Sequence, residues 1–329
     1  MEKFFIAMPD TKNRSVYFPE DCIEALQALG EVRLNPFDRK LSAQELIELA
    51  SDCTILLTHW ACPQVTASFL DAAPQLKLIA HCAGTVAHIA GEDTYQRGIP
   101  CLSANHVMAH YVAEAVLGMM LCGLRGFKET DLQMQKGHWD KSIPCYSLFD
   151  STVGLIGLGT VGRYLLDLLI PFGPKVKVYD PYLPKDALSR WPFAQIVDLD
   201  TALGCDVVSV HASQTPETYH MIDEQAFSRM KPNAIFINTA RGSLVDTAAA
   251  AKALASGKIR GLFDVYEQEG CPQPQLAGMD NVLLLPHMAA VSAGARMTRA
   301  IIRDIRRFLS GEKPELEISY EQFTRMTQE

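Results

Sequence analysis

A histidine at the end of an apolar run is placed where chemistry is possible. In NVLLLPHMAAVS the residues Val282 to Leu285 stop at Pro286, and His287 follows at once. Imidazole is the side chain whose ordinary pKa lies nearest neutrality, so a ring at a strand end can pass a proton in either direction. A core histidine with a satisfied hydrogen bond is the plainer reading, and the surroundings decide between them. A second constellation is Gly157-Leu158-Gly159-Thr160-Val161-Gly162, which follows the apolar VGLI and opens the helical YLLDLLIPFG. Gly157 allows a tight turn, Gly159 lets backbone approach a pyrophosphate, and Gly162 lets helix and strand pack closely. The helix N-terminus then offers free N–H groups to phosphate oxygens. Asp180 closes the next strand, 18 residues after Gly162. Its carboxylate would accept hydrogen bonds from ribose hydroxyls and repel a 2′-phosphate, so the cofactor expected is NAD.

These residues need a scaffold that brings strand ends together. After Asp150 nearly continuous apolar runs alternate with turns and helices: VGLI (153–156), VKVY (176–179), QIV (195–197), VVSV (207–210), AIFIN (234–238), LFDV (262–265) and VLLL (282–285). Such runs are expected of parallel strands covered on both faces. DTAAAAKALASGK (246–258) is predicted as a helix with Asp246 as N-cap and Gly257 just past its end. The pattern predicts an α/β, Rossmann-type doubly wound parallel sheet. Before it, FFIAMP (4–9), TILLT (54–58) and LKLIAHC (76–82) read as strands of a smaller α/β unit. Residues 104–127 read as one long helix, apolar nearly all round and hence buried on most faces. The tail RMTRAIIRDIRRFLSGE is amphipathic, with Ile301, Ile302, Ile305, Phe308 and Leu309 on one face.

Composition narrows the function classes. A chain of 329 residues predicts two domains or one large unit. The formal charge is −8 with no long basic run, which argues against a nucleic-acid partner. The start, MEKFFIAMPD, has too short an apolar patch for a signal peptide, and no apolar stretch is read as approaching the length needed to span a bilayer. Nine scattered cysteines without a CxxC pair fit free thiols in a reducing cytoplasm. His106 and His110 sit one helical turn apart, but no third ligand is spaced to join them, so no metal site is expected.

Three further segments, INTARGSLVD (237–246), GLFDVYEQEG (261–270) and PHMAA (286–290), complete a pattern with the glycine motif. Together, in order and at matching spacing, they resemble the D-isomer-specific 2-hydroxyacid dehydrogenases, from LKLIAHCAGTV to the C-terminal helix. The resemblance implies catalytic roles for Arg241, Glu269 and His287. It implies cofactor contacts by Thr160, Val161, His211, Thr215, Thr239, Ala240 and Asp264, beside Gly157, Gly159, Gly162 and Asp180. It implies a discontinuous flavodoxin-like substrate domain, 1–102 with 290–329, around a cofactor domain, 103–289, and a homodimer through the long helix.

On this reading the reaction transfers a hydride between NAD(H) and a small 2-keto or D-2-hydroxy acid, of the glyoxylate or hydroxypyruvate reductase kind or the D-3-phosphoglycerate dehydrogenase kind. Arg241 would fork onto the substrate carboxylate and carbonyl. Backbone N–H groups near Ala83, Gly84 and Thr85 would bind the carboxylate, and His287 would carry the proton with Glu269 orienting its ring. His59-Trp60 follows a strand and either touches substrate or packs. The chain departs from the family at Ala290, where glycine is frequent, and at Ser213, where proline is usual. In CAGTVAHIAG (82–91) an aspartate is missing. A formate dehydrogenase is disfavoured, because those relatives pair their histidine with glutamine. An NAD(H)-sensing, corepressor-like binding protein on the same fold is the alternative.

Overall fold

The computed structural model describes residues 1–327. Along the chain run β1 (Glu2–Ile6), α1 (Arg14–Tyr17), α2 (Glu20–Gln27), β2 (Gly30–Leu34), α3 (Ala43–Ala50), β3 (Ile55–Thr58), α4 (Ala67–Ala72), β4 (Leu78–His81), α5 (Glu92–Gln96), β5 (Cys101–Ser103) and α6 (Asn105–Arg125). Then come α7 (Phe127–Gln135), β6 (Thr152–Ile156), α8 (Thr160–Leu169), β7 (Lys175–Tyr179), β8 (Ala194–Ile196), α9 (Leu199–Leu203), β9 (Val207–Val210), α10 (Glu224–Arg229) and β10 (Ile235–Asn238). The last elements are α11 (Thr247–Ala255), β11 (Arg260–Phe263), β12 (Val282–Leu284), α12 (Ala295–Leu309) and α13 (Tyr320–Thr324).

Contacts divide the chain into two units, Met1–Ala109 with Val291–Glu329, and His110–Ala290. Gln328 and Glu329, the last two residues of the expected substrate domain, lie outside the described residues. The first crossing falls inside α6 and not at residue 102. The first turn of this helix belongs with unit 1, where Ala104 N–H donates to His81 O and Met108 lies against Gly84.

Unit 1 holds a five-stranded sheet in the order β2-β1-β3-β4-β5, with each neighbouring pair parallel. Counted from β1 this is the 2-1-3-4-5 order of flavodoxin-like sheets. Phe4, Phe5, Ile6, Ile55, Leu56, Leu57, Leu78 and Ile79 are all buried, as befits strands covered on both faces. α12 buries Ile301, Ile302 and Ile305 and packs on α1, α2, β4 and β5. Asp304, on the same buried face, accepts a hydrogen bond from Leu316 N–H at 2.5 Å.

Unit 2 holds a seven-stranded sheet, β12-β11-β10-β9-β6-β7-β8, again parallel throughout. The chain starts at β6, winds out to β8, then returns to β9 on the other side of β6. That reversal is the switch point at which open α/β sheets bind ligands. Asp246 caps α11 as expected, accepting from Ala248 and Ala249 N–H. Gly123 of α6 lies against Ile235 and Leu262, because a glycine there lets the helix approach β10 and β11. α6 corrects one expectation: by length and composition it is apolar enough to cross a membrane. Val112, Val116, Met120 and Leu124 are nonetheless buried on one face of it.

Candidate active site

The cradle after β6 is built by glycine. Gly157 has φ +90°, a conformation that L side chains rarely adopt, and a Cβ there would lie 2.6 Å from Ala212 N. The turn therefore presses directly on the segment after β9, at the switch point. Gly159 is exposed and is the N-cap of α8 with no side-chain cap, and a Cβ there would meet open space. Thr160 and Val161 begin the helix. Asp180 Oδ2 accepts from Leu158 N–H at 2.9 Å and Oδ1 from Tyr182 N–H at 3.0 Å. This ties the carboxylate to the glycine turn at the end of β7. His211 Nε2 meets Ser209 Oγ at 2.9 Å, and desolvation pushes its imidazole down to about 4, so the ring is neutral near pH 7. Thr215 starts a small turn, its N–H donating to Thr218 Oγ1 at 2.8 Å.

Asn238, buried at the end of β10, organises the next turn. Its Oδ1 accepts from Ala240 N–H at 3.0 Å and its Nδ2 donates to Arg241 O at 2.8 Å. Arg241 Nη1 in turn donates to Ala240 O at 2.8 Å. Thr239 Oγ1 is buried with no hydrogen-bond partner among the described residues. A buried hydroxyl left in that state is costly, and a bound group that reaches it would remove the cost. With the uncapped helix and the glycine turn, it makes the residues present fit a dinucleotide.

Glu269 lies in the connection from β11 to β12, and His287 in the turn that follows β12. His287 Nδ1 and Glu269 Oε2 are 2.7 Å apart, and both side chains are about half-exposed. An ionised carboxylate only accepts, so Nδ1 carries the proton in this pair and Nε2 is left for other partners. His287 has φ +50°, the left-handed region, which is uncommon for a residue with a side chain. Asp264 explains how it is held. Asp264 is buried, and its two carboxylate oxygens accept from Met288 N–H at 2.8 Å and Ala289 N–H at 3.0 Å. Its carbonyl accepts from His287 N–H at 2.8 Å. Expected beside the nicotinamide, Asp264 turns its carboxylate to the backbone of the histidine turn. Tyr266 Oη donates to Leu285 O at 2.8 Å and ties the β11–β12 connection to the start of the histidine turn.

In unit 1 the N–H groups of Ala83, Gly84 and Thr85 meet no acceptor among the described residues, whereas Ser103 Oγ donates to the carbonyls of Ala83 and Gly84. Backbone N–H groups left without a partner are open to an anionic acceptor. Thr85 Oγ1 donates to Thr327 O at 3.3 Å. His59 is fully buried between Tyr17 and Trp60, with ring centroids 4.2 and 4.6 Å away. Among the described residues neither ring nitrogen has a hydrogen-bond partner, and the ring packs among aromatic side chains.

The structure thus joins Glu269 to His287 and sets the turn bearing Arg241 against the one bearing Glu269. A Cβ at Gly242 would sit 1.8 Å from Tyr266 C. Sequence reasoning did not single out Asn238, Tyr266, Glu267 or His220. The available signals were an asparagine ending an apolar strand and a second acid two residues before Glu269. Among the described residues no group of three His, Cys, Asp or Glu side chains is placed to hold a metal.

Residues 117–289 match the family model described as D-isomer specific 2-hydroxyacid dehydrogenase, NAD binding domain. The glyoxylate reductase of Thermofilum pendens is 37% identical over 283 residues, 83% of each chain. The D-3-phosphoglycerate dehydrogenase of Methanocaldococcus jannaschii is 32% identical over 301 residues, 90% of this chain, which spans only 57% of that relative's length. The solved structure of a D-2-hydroxyisocaproate dehydrogenase superimposes with a TM-score of 0.81 at 26% identity, covering 97% of this chain and 99% of that one.

Proposed function

We propose that this chain, which belongs to the D-isomer-specific 2-hydroxyacid dehydrogenase family, reduces a small 2-keto acid to the D-2-hydroxy acid, or runs the reverse reaction. The cofactor of this family's domain is NAD(H), which supplies or takes up the hydride. Gly157, Gly159, Gly162, Thr160 and Val161 would hold its pyrophosphate and Asp180 its ribose. His211, Thr215, Thr239, Ala240 and Asp264 would line or support the rest of its site. Arg241 would orient the substrate carboxylate and carbonyl, and Ala83, Gly84 and Thr85 would bind the carboxylate through backbone N–H. His287 Nε2 would give a proton to the new alkoxide in reduction and take it back in oxidation, with Glu269 holding the ring by Nδ1.

The observation that carries this reading is the 2.7 Å pair of His287 and Glu269 on a histidine held in a left-handed turn. A histidine kept only for packing would be buried, and this one is half-exposed. Glyoxylate is the first substrate to test, since the T. pendens relative carries that name and aligns over most of both chains. NADH oxidation is followed by absorbance with glyoxylate, hydroxypyruvate, pyruvate and 3-phosphohydroxypyruvate, for the parent and His287→Ala. Turnover that falls by about a thousandfold or more in the variant, with NADH still bound, supports the reading. Turnover near the parent's refutes the proton role. No turnover by either protein, with NADH bound, gives the binding-protein alternative first place. The reading also includes a cytoplasmic homodimer with no nucleic-acid or membrane partner, supported by the net charge of −8 and by partly exposed Leu117, Leu121 and Cys122 on α6. Light scattering tests the dimer.

A further inference from the structure

A second histidine–glutamate pair lies in unit 2, on residues to which the reaction above gives no part. His220 Nε2 and Glu267 Oε1 are 2.6 Å apart. The other oxygen of the carboxylate, Oε2, accepts from Thr247 Oγ1 and, at 3.3 Å, from Thr247 N–H. One carboxylate therefore gathers three segments: the turn after β9, the first residue of α11 and the β11–β12 connection. His220 is itself fixed, since its N–H donates to Ser243 O at 2.8 Å and its ring stacks on Tyr219 at 4.0 Å between centroids. It adopts φ +51°, a conformation that needs such support. Ser243 lies two residues after Arg241, and Glu267 lies two residues before Glu269. Between them the peptide of Tyr266–Glu267 rests on Gly242, where any Cβ would lie within 2.3 Å of Tyr266 C, Tyr266 O and Glu267 N.

From this geometry we propose that Glu267 is a positioning residue: bridging His220 and Thr247, it clamps the loop that bears Glu269 against the loop that bears Arg241. The inference rests on the reading of Glu269, His287 and Arg241 given above. The face-to-face backbone contact at Gly242 sets how close the two loops come, and the carboxylate stops them from sliding. Both reactive groups sit two residues away from the clamped positions Ser243 and Glu267, so a loosened clamp moves both at once. A displacement near 1 Å of such groups costs about a hundredfold in rate. The pair is about one-third exposed, so its worth lies in geometry more than in global stability.

Glu267→Ala, Glu267→Gln and Thr247→Val are assayed in the full chain with glyoxylate and NADH, beside Glu269→Gln, with far-UV circular dichroism to follow folding. Glu267→Ala is expected to lower kcat by about 10- to 100-fold, to leave KM for NADH within about twofold and to displace the pH profile of kcat/KM. Glu267→Gln, which can still accept from Thr247, should recover most of the loss. Thr247→Val should show a smaller loss of the same kind, and it decides the matter if Glu267→Ala does not fold. Unchanged kcat and profile in Glu267→Ala, or in a folded Thr247→Val when the former is lost, overturns the clamp. A change in KM for NADH alone does so too. If Glu269→Gln is itself indistinguishable from the parent, the pair with His287 has failed, and the clamp falls with it. Loss in Glu269→Gln with none in Glu267→Ala removes the clamp alone.

Discussion

Replacing His59 by phenylalanine should make unit 1 more resistant to acid by an amount that the structure sets. His59 is fully buried, its two ring nitrogens have no partner among the described residues, and its neighbours are the rings of Tyr17, Phe18 and Trp60. Burial pushes its imidazole from the ordinary 6.5 down to about 3. A group whose folded pKa is depressed supports the fold fully above its unfolded pKa and loses that support as pH falls toward the folded value. From pH 8 to pH 5 the unfolded chain takes up a proton that the folded protein refuses, a loss of about 2 kcal/mol for this one residue. Phenylalanine removes two orphaned polar atoms, worth about 1–3 kcal/mol, and adds a ring atom whose crowding costs about as much. Both effects are the same at either pH and cancel in the comparison. His211, also pushed down by burial, is present in both proteins and cancels; His81 is held down first by its own complete burial, which the substitution leaves in place, and only then by His59. The measurement is urea unfolding at the two pH values in a background with Trp139 and Trp191 replaced by phenylalanine, so that Trp60 reports unit 1. The variant should gain about 2 kcal/mol over the parent on going from pH 8 to pH 5. A gain below about 0.5 kcal/mol would refute the reasoning, because the native ring would then have to accept a proton or own a partner.

Three other substitutions test the scaffold of unit 2. Asp180→Ser removes the negative charge beside the glycine turn and should raise the NADPH-to-NADH ratio of kcat/KM by about tenfold or more, read from initial rates with both cofactors. Arg260, largely buried, pairs with Glu129 and donates to Gly123 O at 3.1 Å and Pro144 O at 2.9 Å. Arg260→Met should cost about 3–5 kcal/mol in chemical denaturation, and adding Glu129→Met should recover much of it, because the stranded carboxylate is the larger part of the damage. Gly242→Ala pushes a methyl group into the Tyr266 peptide; kcat should fall by about a hundredfold while calorimetric affinity for NADH changes by less than about threefold.

The central strands of unit 2 were legible because β6, β9, β10 and β11 are runs buried almost throughout and closed by turns, whereas β7 and β8 at the edge are partly exposed. β2 and β5 were not read. GEVRL is a partly exposed edge strand without clear alternation, and CLS is only three residues long. In the site, the glycine turn, Asp180 and His287 could be read from residue type and spacing, and Arg241 and Glu269 from resemblance. The hydrogen bonds of Asp264 to the histidine turn span 24 and 25 residues, and the clamp on Glu267 spans 20 and 47. Contacts at such separations depend on which strands lie side by side, which local pattern does not encode. The left-handed turn at His287 left no trace either, since the usual sign of positive φ is glycine and none stands there.

The interrupted course of the chain through unit 1 has a consequence during synthesis. Unit 2 is continuous, so it can fold as soon as Ala290 has cleared the ribosome. Unit 1 is half-made long before that. Its β4 and β5 and helices α1 and α2 wait for α12, and the outer edge of β5 waits for the strand-like bonds of Ser103 N–H to Leu316 O and Ile318 N–H to Cys101 O. These partners are translated roughly two hundred residues after the first segment, an interval on the order of 10–40 s. For that time the nascent protein shows an apolar surface and a bare sheet edge, which makes it a natural client for chaperones that bind at the exit tunnel. Once residue 318 has left the exit tunnel, both are covered by the chain's own later segment.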